Sequence, residues 1–134
     1  MRFREAVAAE FERRRLRNRR YSLRQFARGL GIHHSTASRL LRGSRPVPSR
    51  TLVTVAGHLR MSSAETADFL AREDVAAVVD AIGRSRFRPD SRWLASVAGI
   101  SVDSVNIVLQ KLLRTGSLRM VSKERWELAR EGVE

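Results

Sequence analysis

The stretch LRQFARGLGIHHSTASRLLR, residues 23–42, decides the fold. Counted from Leu23, apolar residues fall at positions 4, 8, 10, 15 and 18 (Phe26, Leu30, Ile32, Ala37 and Leu40), with small residues at positions 5 and 9 (Ala27 and Gly31). Two short helices meeting at a tight turn need this pattern. A small side chain at position 5 lets the helices approach, and glycine at position 9 takes the positive φ of the turn. The five apolar positions fill the space between the helices. Ser22 supplies an N-cap for the first helix, from Leu23 to Leu30. The second helix is expected over Ser35–Leu41, stopping at Gly43. A shift of 68 residues places Leu94, Ala95, Ala98, Gly99, Ile100, Val105 and Val108 at the same seven positions, so the helix-turn-helix pattern occurs twice.

Outward from this core, Phe3, Val7 and Phe11 at i, i+4 and i+8 predict a surface helix over residues 3–17. The two prolines of Gly43–Pro48 mark a loop, and Leu52, Val55, Ala56 and Leu59 predict a helix over Thr51–Leu59. Ser62 and Glu65 match a capping box opening a helix that buries Phe69 and Leu70. From Asp74 the pattern restarts with Val75, Val78, Val79 and Ile82, which places a domain boundary near residue 73 and divides the chain into 1–72 and 73–134. Helices over Ser91–Ala98 and Val102–Thr115 follow. Leu118 and Met120, then Trp126 and Leu128, alternate around Lys123-Glu124 as a small β-hairpin. The expected fold class is mainly α: an N-terminal helical bundle with a helix-turn-helix, then a winged-helix unit with a small C-terminal β-hairpin.

The chain of 134 residues carries a net charge of +12, with no cysteine. Residues 1–60 hold 15 Arg against 3 Glu, whereas residues 61–134 balance 11 Lys or Arg against 11 Asp or Glu. A uniform taste for arginine would not spare the second half, so the first half is read as a polyanion-binding surface. No apolar run approaches the roughly 18 residues of a membrane span, and the N-terminus has no apolar stretch like that of a signal peptide. A soluble cytoplasmic, nucleoid-associated protein is expected.

Residues 21–61, YSLRQFARGLGIHHSTASRLLRGSRPVPSRTLVTVAGHLRM, resemble the Cro/C1-type (xenobiotic-response-element) helix-turn-helix family. The resemblance departs at Leu23, where the family often has Gln for a phosphate or base contact, and at Leu41, where it often has Glu. Arg24 and Gln25 stand next to the first position as substitutes. The whole layout, with SRWLASVAGIS and Trp126 in the second half, also resembles an uncharacterised bacterial family of regulators containing a domain of unknown function.

The resemblance and the motif imply a bacterial transcription regulator that binds double-stranded DNA sequence-specifically, with the N-terminal part of the second helix in the major groove. The residues facing the bases are then His34, Ser35, Ser38 and Arg39. Arg39 is suited either to bidentate contact with guanine or to a phosphate. Arg24, Gln25, Arg42, Arg45, Arg17 and Arg20 are assigned to phosphates, which position without reading sequence. In the second half Ser104, Asn106, Lys111, Arg119, Lys123 and Arg125 form a candidate second DNA contact, with a dimerisation surface as the equal alternative.

A homodimer on two-fold half-sites is the expected assembly. An antitoxin-like or adaptor protein-interaction module, or an RNA-binding protein, is the competing class. There is no P-loop, zinc-protease motif or nucleophile–base set, so no catalytic residues, metal or cofactor are expected. The histidines His33, His34 and His58 lack zinc-ligand spacing.

Overall fold

The computed structural model describes residues 1–43 and 45–129. The chain is mainly α-helical with a small C-terminal two-stranded antiparallel sheet. It divides into two compact units, the first Met1–Glu73 and the second beginning at Asp74.

In the first unit, α1 (Phe3–Arg17) presents Phe3 and Val7 to the core, both fully buried. Next, α2 (Leu23–Gly29) opens on a reciprocal capping box: Gln25 N–H donates to Ser22 Oγ at 3.1 Å, and Ser22 N–H donates to Gln25 Oε1 at 2.8 Å. Both amide donors lack intrahelical partners, so the pair closes the helix end. The following helix, α3, covers His34–Arg42, and α4 covers Ser49–His58. Pro48, at φ −57°, already holds the backbone angle a helix needs, so α4 starts two residues before the expected Thr51. Phe3, Val7, Phe26, Leu30, Leu40, Val47, Leu52, Val55 and Ala56 form the core. Phe11 stacks on Phe26 with ring centroids 4.8 Å apart. Burying one such aromatic side chain contributes about 1.5–3 kcal/mol.

The two units divide at Glu73 and Asp74, next to the boundary expected near residue 73, but no helix ends there. Residues Ser63–Ile82 form one 20-residue helix, α5, because no glycine or proline lies between them. The apparent restart at Asp74 is a change in the face used: Phe69 and Leu70 pack, half-buried, against the first core, and Val78 and Ile82 belong to the second. The N-terminus of α5 carries the Ser62–Glu65 capping box.

The second unit continues with α6 (Ser91–Ala98) and α7 (Val102–Arg114), then β1 (Leu118–Met120) and β2 (Trp126–Leu128). The strands pair Leu118 with Leu128, Arg119 with Glu127 and Met120 with Trp126. Its core joins Val78, Ala81, Ile82, Leu94, Val105, Val108, Leu109, Leu112 and Leu118. Among the described residues no single helix is long and apolar enough to cross a membrane.

Candidate nucleic-acid interface

The turn between α2 and α3 is made by Gly31 at φ +70°, with Ile32 N–H donating to Ala27 O at 3.1 Å. This left-handed closure satisfies carbonyls at the end of α2 and redirects the chain within three residues. A side chain at position 31 has no room: an added Cβ would lie 2.6 Å from the His58 ring. That ring is held by Nδ1 donating to the Thr54 carbonyl at 2.9 Å. The second motif repeats the closure, with Gly99 at φ +73° and Ile100 N–H donating to Ala95 O at 3.2 Å.

On α3, Ala37 and Leu40 face the core, which turns the other side of the helix outward. His34, Ser35 and Arg39 are exposed and Ser38 is half-buried. These four, with Arg42, line one open concavity of about 500 Å³. None of their side chains forms a hydrogen bond or ion pair among the described residues. The N-cap, His33, supplies no side-chain acceptor to the first amides of α3, whereas Ser101 caps α7 by accepting from Ser104 N–H.

The expected phosphate-binding residues divide into two groups. Arg24, Arg42, Arg45, Arg17 and Arg20 are exposed and carry no ion pair among the described residues. Gln25 is half engaged, since its carbonyl oxygen serves the capping box and only its amide NH₂ remains to donate. Within the Arg13–Arg20 run, Arg13 and Arg14 both bind Glu10, at 2.6 and 3.0 Å, and Arg14 also donates to the Tyr21 hydroxyl. Burial raises the Glu10 pKa, but the hydrogen bonds and charges of Arg13 and Arg14 outweigh it and hold the carboxyl below its ordinary value. These two arginines support α1.

Glu73 is a structural residue that the reading of the sequence missed. It is 3% exposed. Its carboxylate accepts from the Arg2 guanidinium at 3.1 Å and from Val47 N–H at 2.8 Å. It thus ties the start of α1 and the loop before α4 to α5. The signal was present: Glu73 stands four residues after Phe69 on the same helix, an acid on the inward face.

In the second unit the candidate contact residues are largely engaged internally. Ser104 and Ser101 hydroxyls share a hydrogen bond, and Ser91 Oγ donates to Asn106 Oδ1 at 2.9 Å. Arg119 and Arg125 both pair with Glu127, at 3.0 and 2.9 Å. The Arg119 hydrogen bond, with the Arg125 and Arg119 charges, holds the Glu127 carboxyl below its ordinary value. Lys111 and Lys123 have no ion pair among the described residues. No group of three or more His, Asp or Glu side chains among the described residues is placed to hold a metal.

No curated protein and no solved structure matches the chain. Residues 6–69 match a family model described as a helix-turn-helix domain, a span from within α1 to within α5. The match supports a helix-turn-helix domain in the first unit.

Proposed function

We propose that this chain is a sequence-specific double-stranded DNA-binding protein, a bacterial transcription regulator working in the cytoplasm without cofactor or catalysis. The observation that carries the reading is the outer face of α3: His34, Ser35, Ser38 and Arg39 share one concavity and have no protein partner among the described residues. Arg39 reads guanine, since its fork of donors matches the O6 and N7 acceptors of that base. Arg24, Arg42, Arg45, Arg17 and Arg20, with the Gln25 amide, hold phosphates on either side.

The second unit is assigned to the winged-helix class on its order of helix, turn, helix and hairpin. Its α7 and hairpin are assigned to protein contact in a homodimer. Glu127 pairs with two of the hairpin cations, and Ile107, Met120 and Val121 are exposed apolar residues there.

Genomic selection of bound fragments followed by footprinting tests the proposal. A homodimer should protect two related half-sites, and Arg39→Ala should abolish the specific footprint while retaining weak general binding. With roughly six phosphates neutralised by each protomer, the logarithm of affinity should fall against log salt with a slope of about five per protomer. An unchanged Arg39→Ala footprint removes groove readout by this residue, and a flat salt profile sinks the DNA-binding reading.

A further inference from the structure

Over residues 61–134 the formal charges cancel, but they are not evenly spread. Arg84, Arg86, Arg88 and Arg92 fall within nine residues, in the loop between α5 and α6 and the first turn of α6. Two acids lie nearby and both are engaged. Asp80 pairs with Arg84 at 3.3 Å, and the Asp90 carboxylate caps α6 by accepting from Arg92 N–H at 2.9 Å. Arg86, Arg88 and Arg92 are exposed, and their guanidinium groups have no ion pair among the described residues.

The backbone beneath these arginines is fixed. Phe87, half-buried between Arg86 and Arg88, meets Trp93 edge-on at 6.0 Å and Trp126 at 5.2 Å between ring centroids. Phe87 N–H donates to Arg84 O at 3.1 Å, and Asp90 N–H donates to Arg88 O at 2.8 Å. The loop is therefore anchored at its centre by aromatic packing. Its flanking cations sit on an ordered support, which reduces the entropy lost when they engage a ligand.

We infer that Arg86, Arg88 and Arg92 form a second contact with DNA, made to its phosphate backbone. The guanidinium fork matches phosphate oxygens bidentately, and three such groups on one short stretch fit a regularly charged polyanion. This inference rests on the DNA-binding reading of the first unit, because the covalent link to a DNA-bound helix-turn-helix raises the effective concentration of DNA phosphates around the second. The contact adds affinity and carries no sequence information.

The test measures the salt dependence of binding by the full chain to a random-sequence DNA duplex and to a selected genomic fragment. Replacing all three residues with alanine should lower the magnitude of the slope by about 2.7 for each protomer bound, three contacts at about 0.9 each. Affinity should fall by the same factor on both DNAs. Arg→Lys at all three positions should keep most of the slope, which separates charge from any disturbance of folding. A wild-type slope that is steep and survives the alanine replacements overturns the second contact and leaves the first unit's reading intact. Absence of salt-dependent binding by the wild type sinks both. A loss seen on an RNA duplex and not on DNA assigns the arginines to RNA and overturns the inference.

Discussion

Removing Arg2 should harm the first unit more than its exposed position suggests, and neutralising Glu73 should repair part of the damage. The Arg2 side chain is 42% exposed, so its own guanidinium is largely hydrated, but its partner carboxylate is 3% exposed. Arg2→Ala strands that carboxylate with one remaining donor, the Val47 amide. Breaking a buried pair from this side typically costs 3–5 kcal/mol; the surviving amide bond places the cost here near the lower end, about 3 kcal/mol. Glu73→Gln keeps an oxygen for Val47 N–H and removes the buried charge, and should cost about 1–1.5 kcal/mol on its own. The double variant then avoids the stranded charge and should lie about 2 kcal/mol below wild type, more stable than Arg2→Ala alone. Urea denaturation followed by circular dichroism, completed as a double-mutant cycle, reads all four states. A double variant no more stable than Arg2→Ala would refute the argument, since it would show that the buried charge is not what the arginine compensates.

Two further outcomes follow from the geometry. Gly31→Ala should destabilise the first unit by about 2 kcal/mol, because an L-residue at positive φ costs about 1–2 kcal/mol and the new Cβ also displaces His58. Adding His58→Ala should recover only the steric share in thermal denaturation, and wild-type stability in Gly31→Ala would refute this account of the turn. At the hairpin, the depressed Glu127 pKa means that its pairing is complete above the unfolded carboxyl's range and is lost as pH falls through the folded value. An NMR titration of the Arg119 and Arg125 side-chain N–H signals should therefore show a midpoint below 4.5, and a midpoint at or above it would count against the pairing.

Features that depend on neighbours in sequence were readable in advance. The Ala27–Gly31–Ile32 spacing specified a closure that the structure realises hydrogen bond by hydrogen bond, and the alternation of Leu118, Met120, Trp126 and Leu128 specified both strands. What escaped depends on residues distant in the chain or on cancellation. The α5 helix was cut in two because its apolar face changes allegiance, although no residue within it breaks a helix. Glu73 enters the sequence reading only as one of the 11 acids of residues 61–134, since its partners Arg2 and Val47 lie 71 and 26 residues away. Summing charge over the second half hid both the ion-paired hairpin and the unpaired Arg86, Arg88 and Arg92. The hairpin pairing was available from register alone, because Arg119 stands directly opposite Glu127 once the strands are aligned. The four polar residues of α3 were selected by helical periodicity, which fixes the face of a helix but not the base each side chain meets.

The Arg2–Glu73 tie also sets an order of events during synthesis. Arg2 leaves the ribosome 71 residues ahead of its partner, on the order of 4–14 s at elongation rates of about 5–20 residues per second. Throughout that interval the loop carrying Arg45 lacks the carboxylate that holds Val47. The helix-turn-helix segment is thus translated in full before the clamp behind it can close, and a nascent chain stalled ahead of residue 73 would present these arginines to passing nucleic acid on an unfastened loop.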